Sequence, residues 1–221
     1  MNRKLWLLAV MVIASLSCNF VTRAFVPVAA TESPAPVLSA QKSSCGIFAD
    51  TPAASQYSAP PMKIDNTKKY FAMVKMANGG EFVIQLYADK APITVNSFVF
   101  LACKGYFDGV TFHRVLGGFM AQGGDPTGTG MGGPGDEFVN ENSDLTFDKA
   151  GVVAMANARP DTNGSQFFIT FGSANFLNGG YTIFGQVVEG MDVVNAITPR
   201  DPETNPTLTG DAMESVTTTE L

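Results

Sequence analysis

Phe112-His113-Arg114-Val115-Leu116-Gly117-Gly118-Phe119-Met120-Ala121-Gln122-Gly123-Gly124-Asp125 gathers the only histidine, an arginine, two large apolar groups and an amide into one short stretch. Val110 to Leu116 reads as a strand, and Gly117-Gly118 lets the backbone turn before Phe119. Arg114 offers a permanent cation with several donors, Phe119 and Met120 an apolar surface, and Gln122 a hydrogen-bonding amide. No nucleophile and no cluster of carboxylates stands beside them. Such an inventory suits binding and polarising an amide better than breaking one.

Working outward, the short strand signals recur. Tyr70 to Met76 and Glu81 to Tyr87 flank Asn78-Gly79-Gly80, the pattern of a hairpin. A helix follows, with Thr94 as its expected N-cap, an apolar stripe at Val95, Phe98, Val99 and Ala102, and Gly105 at its end. Beyond the opening stretch, Gly128-Thr129-Gly130-Met131-Gly132-Gly133 satisfies the G-x-G-x-x-G spacing of dinucleotide sites. No helical period begins after it and Pro134 intervenes, so the run reads as a mobile loop beside the site. Gly151 to Ala156, Gln166 to Phe171 and Tyr181 to Val188 supply further strands, Met191 to Ile197 a short helix, and Met213 to Thr218 a strand able to pair with the first. In the second of these, Gln166 and Phe168 share one face while Phe167 and Ile169 share the other. Many short strands with two helices predict a closed, mainly antiparallel β-barrel.

A second long stretch, Met155-Ala156-Asn157-Ala158-Arg159-Pro160-Asp161-Thr162-Asn163-Gly164-Ser165-Gln166-Phe167-Phe168-Ile169, and a third, Phe184-Gly185-Gln186-Val187-Val188-Glu189-Gly190-Met191, follow in order. Together with the opening stretch they resemble the cyclophilins, peptidyl-prolyl cis/trans isomerases, over Lys63 to the C-terminus. The resemblance implies an eight-stranded antiparallel barrel capped by two helices. It also implies rotation about X-Pro bonds of proline-containing peptide segments, with no metal or other cofactor. That rotation meets a barrier of roughly 18–20 kcal/mol and breaks no bond, so it needs no acid/base pair. A donor aimed at the proline nitrogen withdraws its lone pair from the amide resonance, and Arg114 resembles the catalytic arginine of the family.

Phe119, Met120, Phe168 and Leu177 match the family's proline pocket, Gln122 and Gln166 the amides that orient arginine and substrate, and Ala156, Asn157 and Ala158 the segment gripping the peptide beside the proline. His113 is expected to line the site. Phe176 stands where many members carry Trp, and Tyr181 where many carry His; both keep an aromatic ring. Strong cyclosporin binding is not expected, because Phe176 lacks the indole donor. The rival reading is a non-catalytic chaperone or scaffold module that holds proline peptides, against which retention of Arg114 counts.

Composition places the chain in context. Its 221 residues, 45% of them hydrophobic, suit one soluble domain plus an extension. Residues 1–62 carry four basic and two acidic groups (+2) and residues 63–221 ten and eighteen (−8), and so acidic a domain is a poor match for nucleic acid. A basic start and an apolar run from Leu5 to Leu16, too short for the roughly 20 residues that span a bilayer, read as a leader over residues 1–30. Three ends compete: a lipoprotein-type Cys18, a small-residue cut at Val28-Ala29-Ala30, and a bipartite plastid-type leader around Thr22 to Pro27. All three place a monomeric domain, residues 63–221, outside the cytosol, meeting a membrane only through an N-terminal lipid. Asn19 to Pro61, rich in Ala, Ser, Thr and Pro, shows no period, so 31–62 reads as a linker without assigned structure. The three cysteines have no metal-ligand spacing, and a Cys45–Cys103 disulfide is left open.

Overall fold

Tyr70–Met76 (β2) and Glu81–Leu86 (β3) form the expected hairpin, in register from Tyr70↔Leu86 to Lys75↔Glu81. Gly79 turns the connection with φ +89°, a conformation that costs glycine nothing. The computed structural model of the chain describes residues 42–50 and 53–221. The remaining strands are β1 (Lys42–Ser43), β4 (Arg114–Leu116), β5 (Met120–Gly123), β6 (Val152–Met155), β7 (Phe167–Thr170), β8 (Ile183–Glu189) and β9 (Met213–Glu220). They lie in the order β1-β9-β2-β3-β8-β6-β7-β5-β4, antiparallel throughout. Met213–Glu220 pairs with β2, as the sequence pattern suggests.

β2 to β9 curl into a half-barrel, a looser closure than the fully closed barrel expected from sequence. Between β4 and β9 the ladder is open, and single bridges such as Thr111↔Ala212 span the gap. The cause lies in the segment before β4: Phe112 N–H donates to the carbonyl of Asp211 (2.9 Å) and Met213 N–H to that of Val110 (2.9 Å), while only Arg114 to Leu116 join the ladder.

Inside the curl, the rings of Phe98, Phe107, Phe112, Phe167 and Phe184 pack at centroid distances of 5.0–6.1 Å. Helix α1 (Pro92–Cys103) plugs one end. It starts two residues before the expected cap: Pro92 fills the first turn, where a missing N–H costs little, and the Glu141 carboxylate accepts from Ile93 N–H (2.9 Å), Thr94 N–H (2.8 Å) and the Thr94 hydroxyl (2.7 Å). A carboxylate from a distant loop thus replaces a local cap. Thr94 to Ala102 are buried without interruption, so the helix has no solvated face opposite its stripe.

Chain N-terminal to β2 covers that second face. Phe48, fully buried, meets Phe100 edge to face at 5.2 Å, and Tyr57 does the same at 5.0 Å. Asn96 Oδ1 accepts from the N–H groups of Lys63 (2.9 Å) and Ile64 (3.3 Å), and Cys45 is disulfide-bonded to Cys103 with Cα atoms 5.1 Å apart. Closing a loop between residues 58 apart stabilises by about 4 kcal/mol on the chain-entropy account. Residues 42–50 and 53–61, to which sequence patterning assigns no structure, therefore form a strap across α1. The leader with its three candidate ends, and residues 31–41, lie outside the described residues. Helix α2 (Met191–Asn195) is shorter than the pattern suggests, and its N-cap Gly190 has φ +74°.

Candidate active site

β5 sits between β4 and β7, and the register Arg114↔Gln122↔Phe168 lines three expected site residues across these strands. Because side chains alternate along a strand, Met120 and Gln122 share a face. Phe168 shares it on β7, and Phe167 turns to the opposite side, into the aromatic core. The site is thus the outer face of the sheet whose inner face is the core.

On that outer face a second apolar cluster forms. Met120, Phe147, Ala154, Phe168 and Ile183 are buried in it, with Phe119, Ala156, Leu177 and Tyr181 packed at its half-exposed rim. Phe147 stacks on Phe168 at 5.8 Å, Tyr181 meets Phe168 edge to face at 5.6 Å, and Phe119 lies 5.5 Å from Phe176. Phe176 is 77% exposed, so its ring shields little of itself. Of the six rim and pocket residues expected from sequence, Phe119, Met120, Phe168, Leu177 and Tyr181 are brought together in this cluster, whereas Phe176 stays outside it and meets it through the Phe119 ring.

Arg114 is half-buried on the edge strand, and its side chain has neither a hydrogen bond nor a carboxylate partner among the described residues. Its register partner Gln122 is occupied: Gln122 Nε2 donates to Gln166 Oε1 at 2.9 Å, and Gln166 Nε2 donates to the carbonyls of Gly130 (3.0 Å) and Gly132 (2.9 Å). The two amides therefore form a relay from Arg114's neighbour to the glycine-rich loop. Ala156 N–H donates to the carbonyl of Gln166 (2.9 Å), and the half-buried Asn157 contacts Asn140 and Asn163 through Nδ2 (3.4 Å each). Ala158 is exposed, its N–H donating to the Thr162 hydroxyl (3.2 Å).

His113 lies deeper than the sequence pattern suggests. It is 2% exposed, and neither ring nitrogen has a hydrogen-bond partner. Burial depresses its pKa below the ordinary value against the pull of Asp125, with Arg200 and Arg114 adding to the depression. The ring backs the site as a neutral group.

Asp125 is the organiser that sequence reasoning missed. Fully buried, its carboxylate accepts from the N–H groups of Thr127 (2.7 Å), Thr129 (3.1 Å), Gly130 (2.7 Å) and Gly132 (3.1 Å), and from the Thr127 hydroxyl (2.8 Å). Burial alone would raise its pKa, but the bonds from Thr127, Gly132 and Gly130 outweigh it and hold the carboxyl below its ordinary value. A Cβ at Gly132 would stand 2.0 Å from Asp125 Oδ1. The glycines exist to let amides converge on this anion, so the loop is braced rather than free, and its inner surface is already filled by a carboxylate where a dinucleotide site would need room for phosphate. The signal was present as Asp125 followed by Thr and Gly at hydrogen-bonding spacings.

A cavity of about 710 Å³ opens beside Gln122 and Gln166 and is walled by Ala156 to Ala158 on one side and by the glycine-rich loop on the other. Among the described residues no group of three or more His, Cys, Asp or Glu side chains converges as a metal site would require.

Comparison with known proteins agrees with this arrangement. The family described as cyclophilin type peptidyl-prolyl cis-trans isomerase/CLD matches residues 71–218. A peptidyl-prolyl cis-trans isomerase-like 1 of Rhizopus delemar is 54% identical over 119 residues, 52% of this chain and 72% of that protein. A probable peptidyl-prolyl cis-trans isomerase A of Mycobacterium bovis is 49% identical over 150 residues, 59% of this chain and 82% of that protein. The crystal structure of a Cryptosporidium parvum cyclophilin type isomerase in the presence of the dipeptide Ala-Pro superposes with a TM-score of 0.61 at 34% identity, covering 66% of this chain and 97% of that one. With a matched family region running from β2 into β9, and Arg114, the paired glutamines and the outer apolar cluster inside it, this chain belongs to the cyclophilin-type peptidyl-prolyl cis-trans isomerases.

Proposed function

We propose that Arg114 carries the family's prolyl isomerisation in this chain, with Phe119, Met120, Phe168, Leu177 and Tyr181 holding the proline ring. One observation carries the reading: a half-buried guanidinium, unpaired among the described residues, stands beside an open apolar cluster. A buried cation normally recruits a carboxylate, so leaving this one unpaired keeps its donors for an incoming ligand. Donation to the proline nitrogen weakens the amide resonance, and a few kcal/mol of preferential transition-state stabilisation gives roughly 10²–10³ in rate. Gln122 is positioned to orient the arginine, and Ala156 to Ala158 to grip the peptide. The Ala-Pro dipeptide accompanying the Cryptosporidium structure supports proline as the group recognised.

The test is Arg114→Ala in a protease-coupled isomerisation assay. kcat/KM should fall at least about tenfold while Tm moves by no more than about 2 °C. A variant that unfolds instead marks Arg114 as structural, and one that keeps its rate favours the non-catalytic peptide-holding module.

We further propose that the enzyme works as a monomer outside the cytosol, on chains that have just crossed a membrane. Support comes from the apolar run Leu5 to Leu16 and from the Cys45–Cys103 disulfide, a bond that persists in oxidising compartments. Slow X-Pro isomerisation, over tens of seconds, limits refolding there. Intact-mass analysis of the mature protein tests this: an N-terminus at Cys18 or beyond is expected, and an uncleaved Met1 form in the cytosol would overturn it.

A further inference from the structure

β4 has only three residues, Arg114–Leu116, and β5 pairs with just one of its sides. The other side is met by a single residue of the loop between α2 and β9. Arg200 N–H donates to the carbonyl of Val115 (2.9 Å), and Val115 N–H donates to that of Arg200 (2.6 Å), an isolated antiparallel bridge. The Arg200 side chain then turns back along the strand: Nη1 donates to the carbonyl of His113 and Nε to that of Leu208. One residue thus grips the chain on both sides of Arg114, at the carbonyl before it and at both backbone groups of the residue after it.

The loop is seated for this grip. A Cβ at Gly210 would stand 2.2 Å from the Phe112 carbonyl oxygen, so glycine permits the close approach, and Thr198 N–H donates to Asp211 Oδ2 (2.7 Å) two residues before Arg200. A guanidinium fork can serve two carbonyls that lie in different directions, which a single ammonium does poorly. Its charge is the informative part. Arg200 and Arg114 both depress the pKa of His113, so two like charges bear on one ring. A bridge with no task beyond holding backbone could be made by a neutral amide without that repulsion. The side chain of Arg114 has no partner of its own, so its direction is inherited from the backbone that carries it. Misplacing a reacting group by about 1 Å can cost roughly 10² in rate, which makes that backbone worth fixing.

We propose that Arg200 is a positioning residue for the isomerisation: it locks the backbone from His113 to Val115 and thereby sets the direction in which the Arg114 guanidinium points. The proposal rests on the reading of Arg114 as the catalytic group.

The experiment places Arg200→Gln in the full chain and in its Arg114→Ala variant, and reads kcat and KM separately from NMR line shapes of an Ala-Ala-Pro-Phe peptide. In the first background kcat should fall about fivefold while KM stays within about twofold, because the apolar cluster that holds the proline is untouched. In the second, kcat should fall by less than about 1.5-fold, since no guanidinium is left to aim. A merely structural Arg200 would lower kcat by the same factor in both backgrounds, and that result overturns the proposal. So does an unchanged kcat in the single variant. Should Arg200→Gln not fold, Arg200→Lys, which keeps the charge and loses the fork, should show the same split with smaller amplitude. The Arg114 Nε–Hε signal, followed by 15N relaxation without peptide, is independent of turnover: Arg200→Gln should make it more mobile, and an unchanged signal overturns the proposal. If Arg114→Ala keeps its rate but the signal loosens as stated, the catalytic reading of Arg114 fails while its anchoring by Arg200 stands.

Discussion

Phe167 and Phe168 are neighbours in sequence and belong to different parts of the molecule. Phe167 points into the curl, where its ring meets Phe98, Phe107 and Phe112 and none of it reaches solvent. Phe168 points outward into a cluster whose rim, Phe119, Leu177 and Tyr181, stays half exposed. The inner set is closed on itself and can only stabilise. The outer set is an unfinished core, and an unfinished core has area left to bury when a ligand arrives.

This contrast breaks first on Phe167→Ala. Emptying a sealed aromatic contact should cost about 3–5 kcal/mol and lower Tm by roughly 10 °C, measured by calorimetry, with kcat/KM of the folded fraction little altered. A mild stability loss would mean that the inner face is as loosely filled as the outer one. Phe119→Ala is the counterpart: the ring is half-exposed, so Tm should fall by less than half as much, while kcat/KM falls by about tenfold, close to 1.4 kcal/mol. Equal kinetic effects of the two substitutions would erase the distinction.

The smallest effect concerns His113, which lies behind the site without a hydrogen bond. Its folded pKa is depressed by burial below the ordinary 6.5, so the unfolded chain takes up a proton under that pH before the folded chain does. Stability therefore falls as pH drops from 6.5 toward the depressed value. In His113→Phe the slope of Tm as pH is lowered from 6.5 should become shallower. The buried Asp125 carboxyl, held below 3.8, acts only further toward acid and does not obscure this window. An unchanged slope would assign the acid sensitivity to other groups.

What the sequence made legible was local or alternating. The hairpin at Asn78-Gly79, the split of Phe167 from Phe168 and the grouping of Phe119, Met120 and Leu177 follow from turn chemistry, strand period and the resemblance of the motifs. What stayed hidden depends on partners far along the chain. Glu141 caps α1 from a loop, which no pattern around Thr94 announces. The helix reads as amphipathic because its second face is covered by a strap without periodicity, held through Asn96, Cys103 and single aromatic rings. Asp125 is the exception, a local case: its amide donors lie within seven residues, at turn spacings the sequence does carry, and only the full convergence on one carboxylate needs the folded loop. Closure of the curl likewise depends on a few backbone bonds between segments that read only as strand ends.

The pairing of β1 with β9 has a consequence for how the molecule is made. Lys42 lies opposite Glu220 and Ser43 opposite Thr219, and β9 is also the neighbour of β2. A chain emerging from a ribosome or a translocation channel presents the strap and the first hairpin long before Met213–Glu220 appears. Until then β2 has one bare edge, and the strap lacks the strand it pairs with. Such long-range closure slows folding and leaves partly assembled chains with exposed strand edges. Met213–Glu220 is therefore the clasp of the molecule, and the strap and the first hairpin reach their full pairing only after this strand has emerged.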